Sequence, residues 1–424
     1  MRHTFEVRSI AAENLKNILL HQSKKHRFFA LLDSNNHIDT YSRYQWLAGI
    51  GARDILNPKQ ESFKALQDYT SQHNDWLFGH LGYDLKNEVE NLNTTNPNKL
   101  GFAPMLFFVP DTVVICTKNK LLVESHTYTN EEQWLQTLPR VVASTQNTAP
   151  IYLEANTSCE KYLQQAEALK KHLQYGNIYE INYCIEFSTS STDFNAIPVF
   201  EKLNQSARAP FAAFYKNEEQ YLLCASPERY LQKLGDVLTS QPIKGTIRRA
   251  ATLQEDDLLK KELLASEKER SENVMITDLV RNDLSRTAAK ASVKVTELFG
   301  IYTFNTVHQM ITTIQSQLAE KYHFTEALKT TFPMGSMTGA PKPKAMQLIE
   351  EHENFARNLY AGAVGYITPG GDFDFNVVIR SLFYNANTQY LSARVGSAIT
   401  IHCDVEQEYE ECLLKAENLF SCLR

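Results

Sequence analysis

The sequence predicts an α+β fold of antiparallel strands interleaved with helices, and three observations predict it. The C-terminal third alternates strand-like runs with turn signals: YAGAVGYIT, the turn PGGD, FDFNVVIRSLFY, the turn NANTQ, and YLSARVGSAITI. Closely spaced runs joined by Gly- and Asn-containing turns pair as antiparallel hairpins. Upstream, LQEDDLLKKELLASEKERSENVMITDLVRNDLSR places Leu259, Leu263, Met275 and Leu279 at helical steps, which predicts a long helical stretch. Helices and strands are interleaved without a regular βαβ alternation, which excludes a doubly wound parallel sheet.

Taken in order, residues 1–150 read as an N-terminal α+β region broken by the polar passages DSNNH and NLNTTNPNK. Residues 151–424 read as a second region forming one compact unit with the first. VVASTQNTAPIYLEANTSCE is the candidate boundary, polar and Pro-containing. Thr157 with Glu160 fits a capping box for a helix that carries Leu169 and Leu173 and ends at Gly176. In LTSQPIKGTIRRA a strand runs into Pro242, with Lys244 set against Gly245 and Arg248 and Arg249 close behind. DVEQEYEECLLKAENLF closes the chain as a helix.

Composition narrows the function. The chain has 424 residues, 43% hydrophobic and 22% charged, with a formal net charge of -6. That balance belongs to a soluble globular protein and argues against a general nucleic-acid binder. No secretory leader is evident, and Pro104, Pro110 and Asp111 interrupt the longest apolar run, FAPMLFFVPDTVVICT, so no membrane association is expected. The seven cysteines are scattered without CxxC pairs, which suits reduced thiols in a cytoplasmic enzyme and offers no zinc spacing.

Several residues carry possible chemistry. Glu269 with Glu272, and Glu408 with Glu411, are Glu-x-x-Glu pairs on predicted helices; each pair reads as a solvated face or as oxygen ligands for Mg²⁺. With a turn at Gly370 and Gly371, counting outward sets Tyr360 opposite Arg380 or Ser381, a pair suited to an organic carboxylate. FPMGSMTGAPKPKAMQLIE and ARVGSAIT are small-residue segments whose amides could approach an anion. Glu228, after Pro227, is a strand-end acid, and His308 sits in an apolar run that more often holds a core histidine. Lys244 is either a surface charge or a desolvated amine with a lowered pKa, poised as a nucleophile.

Together SPERYL, PIKGT, SENVMITDLVRNDLSR, VHQM, FPMGSMTGAPKPKAM, YAGAVGYI, NVVIRSL and GSAITIHCDVEQEYEE, in this order from about Ser158 to the C-terminus, resemble the chorismate-utilising enzymes. The resemblance implies an anthranilate synthase component I-like fold, with antiparallel sheets packed as a sandwich and helices outside. It implies Mg²⁺ on Glu272 and Glu411, with Glu269 and Glu408 close by, anchoring the ring carboxylate of chorismate together with the segment Gly396, Ser397 and Ala398. Tyr360 and Arg380 would grip the enolpyruvyl carboxylate. Glu228 would protonate the departing C4 hydroxyl, His308 would lie near the ring, and Ser336 and Thr338 would line the pocket.

Lys244 selects a branch of that family. Where the anthranilate-forming branch carries alanine, the aminodeoxychorismate-forming branch carries lysine, whose amine attacks C2 and is then expelled as ammonia enters at C4. The resemblance therefore implies the branch leading to 4-aminobenzoate and folate, with nearby cations and desolvation lowering the lysine pKa. No amidotransferase nucleophile is present, so ammonia would come from a glutamine amidotransferase subunit. The alternatives are the anthranilate-forming reaction and a non-catalytic chorismate-binding regulatory protein. Two positions depart from the family pattern. Glu180 stands where amine-forming members carry glutamine, and Ala398 where they carry glycine, a strained choice if that site requires positive φ.

Overall fold

Two large antiparallel sheets form the frame of the computed structural model, which describes residues 2–37, 39–139, 149–191, 194–305 and 307–424. The twelve-stranded sheet runs from His3–Glu6 at one edge, through Phe28–Asp33, Phe211–Asn217 and Gln220–Ser226, to Ser381–Asn385, Tyr390–Ile399 and Glu180–Ser190 near the other. The ten-stranded sheet runs from Ile243–Arg248 and Val307–Gln317, through Arg229–Leu234, Phe373–Asn376 and Ala363–Ile367, to Leu77–Leu81 and Met105–Val109. Phe28–Asp33 pairs with Phe211–Asn217, and Leu77–Leu81 with Ala363–Ile367. Both sheets thus draw strands from before and after the candidate boundary, of which residues 141–148 lie outside the described residues.

Period-two alternation explains why the large sheet is covered on both faces. Phe28, Ala30, Ala213 and Tyr215 point into the core between the sheets, while Phe29, Leu31 and Phe214 point into a second core under the helices Ala12–Gln22 and Ala196–Ala207. Across the sandwich Phe28 meets Phe108 with ring centroids 5.6 Å apart. Each such fully buried ring contributes about 1.5–3 kcal/mol. A third core seats Cys159–Gln174, Lys342–His352 and Val405–Ser421 on the strands Glu180–Ser190 and Tyr390–Ile399. No helix among the described residues is long and apolar enough to cross a membrane, and all seven cysteines are free thiols.

Three local expectations need correction. The helix Cys159–Gln174 is capped by Ser158, whose hydroxyl accepts from Lys161 N; Thr157 turns away toward Asn354. The long helical stretch divides into Leu253–Ala265 and Glu267–Ser285 at Ser266, which leaves helical ψ at 113° and caps the second helix through Glu269 N. FDFNVVIRSLFY is not one strand. Phe373–Asn376 belongs to the smaller sheet and Ser381–Asn385 to the larger, and residues 377–380 carry the chain between them, with Arg380 at φ +52°. Both halves are buried, so the apolar run continues through the crossing and conceals it.

Candidate active site

Lys244 is aimed by a bulge. Val237–Gln241 and Ile243–Arg248 run beside Val307–Gln317 in one register from Val237↔Gln317 to Ile243↔Ile311, and then the register slips by one residue to Thr246↔Gln309. The extra residue falls at Lys244–Gly245, where Gly245 adopts φ +89°. A Cβ there would come within 3.1 Å of Glu269 Oε2 and 3.2 Å of Leu263 Cδ1. Glycine thus meets both the backbone angle and the close approach of the helix, and the bulge redirects the lysine out of the strand's alternation.

The Lys244 ammonium forms a buried ion pair with Glu180, the first residue of Glu180–Ser190. Burial disfavours the ammonium, but Glu180, Glu272 and Glu411 outweigh it and hold the pKa above its ordinary value. The expected lowering by nearby cations is therefore corrected: the groups that set the charge are acids. Glu228 sits between Gln220–Ser226 and Arg229–Leu234, buried, and its Oε1 accepts from Ser336 Oγ at 2.7 Å. Burial pushes its carboxyl up to about 7 against the opposing effects of the Ser336 hydrogen bond and the Lys244 charge. A carboxyl that is half protonated near neutrality is suited to give a proton to a leaving group.

Two backbone amides are left outside the ladder at the end of Tyr390–Ile399. Asn182 N and Cys184 N donate away from that strand, to Thr338 O and Glu353 Oε1. Their ladder partners Ala398 and Gly396 are thereby non-hydrogen-bonded pairs whose own N–H groups point off the other edge. The neighbouring strand Ser381–Asn385 pairs only as far as Ala393, so it leaves those amides uncovered, with Arg380 just beyond its start. Ser397 faces the opposite side, bonded to Tyr162 at 2.8 Å. Ala398 is not among the positive-φ residues, so alanine is unstrained there.

The hairpin register runs as counted, Gly365↔Phe375 and Ile367↔Phe373, and hydrogen bonds between Val378 and both Ala361 and Gly362 continue it. Tyr360 is buried, and Cys184 Sγ lies 3.7 Å from its hydroxyl. Arg380 feels both Tyr360 and Glu411 electrostatically, and no side-chain hydrogen bond or ion pair engages its guanidinium among the described residues.

Glu269 and Glu272 share one helix, Glu267–Ser285, and Glu408 and Glu411 another, Val405–Ser421. Glu272 Oε1 is buried without a hydrogen-bond partner among the described residues, and its carboxyl is pushed up to about 7 by burial, with Glu180 and Glu269 adding to the rise against Lys244. Burial also raises Glu269 and Glu408, and Glu411 repels both. Glu411 goes down because Lys415, at 2.5 Å, and other cations outweigh burial. Among the described residues no three His, Cys, Asp or Glu side chains already close on a common point. An all-carboxylate set with an orphaned buried oxygen nevertheless fits a hard divalent cation that keeps waters and takes substrate oxygens.

The remaining expected residues are held by bonds within the frame. His308, fully buried, faces Ile247 across the ladder; its Nε2 meets Asp256 at 2.9 Å and its Nδ1 meets Thr303 at 3.0 Å, so both nitrogens are occupied. Thr338 turns its hydroxyl back to Met334 O and Gly335 O, shaping the loop that carries Ser336. Sequence reasoning missed the charges beneath the site. Arg357 clamps Glu353, Met337 O and Asn182 O, and Arg394 joins Glu186 to Arg357 O. Nothing in their local sequence separates these arginines from surface ones.

The two-sheet sandwich gathers a lysine in an ion pair, a neutral-range glutamic acid, an arginine without a side-chain partner among the described residues, and an acidic quartet, a cluster of titratable groups of the kind enzymes carry. Residues 16–421 match the family described as chorismate binding enzyme, and the chain belongs to that family. Among its relatives, aminodeoxychorismate synthase component 1 of Klebsiella aerogenes is 34% identical over 84% of this chain and 79% of its own. The Escherichia coli protein of the same name is 33% identical over 84% and 80%. In fold, the anthranilate synthase component I of Streptococcus pneumoniae superposes with a TM-score of 0.80 at 23% identity, covering 91% of this chain and 93% of that one. The menaquinone-specific isochorismate synthase of Escherichia coli does so at 0.79 and 16%, covering 100% and 95%.

Proposed function

We propose that this chain aminates chorismate at C4, giving 4-amino-4-deoxychorismate for 4-aminobenzoate and folate synthesis in the cytoplasm, through a covalent Lys244 intermediate. The observation that carries the reading is Lys244 itself, bulged out of its strand into the same buried space as the neutral-range acid Glu228. The names of the relatives support the same chemistry.

Arg380 and Tyr360 take the enolpyruvyl carboxylate, and the amides of Gly396 and Ala398 take the ring carboxylate. The Lys244 amine attacks C2, both ring double bonds shift along the ring, the C4–O bond breaks, and Glu228 gives its proton to the leaving oxygen, releasing water. Ammonia then bonds to C4 while the C2–N bond breaks, and the enolpyruvyl group is retained. Glu272 and Glu411, flanked by Glu269 and Glu408, would hold Mg²⁺, which supplies charge neutralisation for the ring carboxylate. His308 and Thr338 brace the walls.

Ammonia comes from a glutamine amidotransferase subunit, in keeping with the "component 1" of the relatives' names. The purified chain should accordingly use ammonium with chorismate and Mg²⁺ but not glutamine. The test is product analysis by mass. A product that retains its enolpyruvyl group and yields 4-aminobenzoate only after a lyase is added supports the reading. Anthranilate with released pyruvate, or chorismate binding without turnover, overturns it.

A further inference from the structure

We propose that Glu180 is the base that takes the proton from the Lys244 ammonium before attack and returns it when the amine is expelled. The inference rests on the covalent role given to Lys244 above. Glu180 is 1% exposed and lies at the mouth of its strand, paired with Ala340 of the Ser336 loop. One carboxylate oxygen meets Lys244 Nζ, and the other is buried without a hydrogen-bond partner among the described residues. The hydrogen bond from Nζ already lies along the path of transfer, so the proton can pass to Glu180 without moving a heavy atom.

The other charged groups facing Lys244 are Glu228, Glu269 and Glu272, and Glu411. Among the described residues Glu180 is the acid hydrogen-bonded to Nζ, and Glu228, already bonded to Ser336, serves the leaving oxygen. The step balances without an oxidant. Ammonium and carboxylate become amine and carboxylic acid, and the amine forms the C2–N bond. When ammonia bonds to C4 the C–N electron pair returns to Nζ, and Glu180 gives the proton back.

The experiment is single-turnover intact-mass analysis with chorismate and Mg²⁺ and no ammonium. The wild-type chain should gain chorismate less water on Lys244, and Lys244→Ala should gain nothing. Glu180→Gln keeps the size and an acceptor but not the basicity. It should bind chorismate normally and form the adduct about 100-fold more slowly at neutral pH, recovering about tenfold per pH unit toward alkali. Glu180→Asp should keep the wild-type pH profile, and it decides the matter if the glutamine variant does not fold. A wild-type rate and profile in Glu180→Gln, or a free-amine slope in Glu180→Asp, overturns the base while leaving the covalent intermediate standing. A wild-type enzyme that makes the C4 amine without any adduct overturns the role of Lys244, and that of Glu180 with it.

Discussion

Glu228 shows how one buried side chain sets a pH dependence. Its carboxyl titrates near 7 because burial penalises the anion more than Ser336 and Lys244 relieve it. As the acid form is the working one, kcat/KM should be level below about 7 and fall above it. Ser336 donates to the carboxylate, so Ser336→Ala withdraws support from the anion, raises the pKa further, and moves the falling limb to higher pH. A limb that stays or moves toward acid contradicts the assignment. The same shift acts on stability. Between the ordinary carboxyl value of 4.5 and about 7 the folded chain holds a proton that the unfolded chain has lost, so stability declines as pH rises through that window. Urea titrations of Glu228→Gln should show a shallower decline. At this scale the sequence exposed Glu228, Lys244 and even the unusual Glu180 by their positions in motifs. It did not expose the pairing of Lys244 with Glu180, because the two are 64 residues apart and meet only where the two sheets' ends converge.

Elements, rather than single residues, decide where these groups point. The bulge at Lys244–Gly245 exists because glycine accepts φ +89° beneath the helix Glu267–Ser285. Gly245→Ala should cost about 1–2 kcal/mol in the left-handed region, read as a lower urea midpoint. Ammonium-dependent turnover should fall further than that loss explains, since the lysine is re-aimed. Unchanged turnover with lowered stability would separate the bulge from catalysis. The hairpin of Ala363–Ile367 and Phe373–Asn376 was legible, because a Gly-Gly turn fixes the register that brings Tyr360 toward Arg380. The crossing at residues 377–380 was not, since continuous burial on both sides leaves no polar punctuation. Likewise Ser266 ends one helix and caps the next with a residue that also occurs inside helices.

For the molecule as a whole, the site depends on buried charges that no motif announces. Arg357 and Glu353, each 1% exposed at the side chain, tie the Ser336 loop to the strand Glu180–Ser190, and Arg357 stacks over Tyr83 from the N-terminal region. Arg357→Met strands the Glu353 carboxylate and should cost about 3–5 kcal/mol, whereas adding Glu353→Leu should recover much of it. Chemical denaturation of the single and double variants checks this; equal losses in both would mean that the pair's surroundings, not its charges, hold the loop. The antiparallel α+β class was readable from turn spacing and periodicity, and the two-sheet sandwich from the family resemblance, but the partnership of strands from both ends of the chain was not, because long-range pairing leaves no local trace. The central claim is that Lys244, placed by this whole frame, performs the amination chemistry. The most direct measurement is the product profile of Lys244→Ala beside the wild type with chorismate, Mg²⁺ and ammonium. The wild type should yield only the C4 amine with its enolpyruvyl group intact, and the variant should bind chorismate yet lose that product by at least about 100-fold. Wild-type yield of the same amine from the variant would contradict the account.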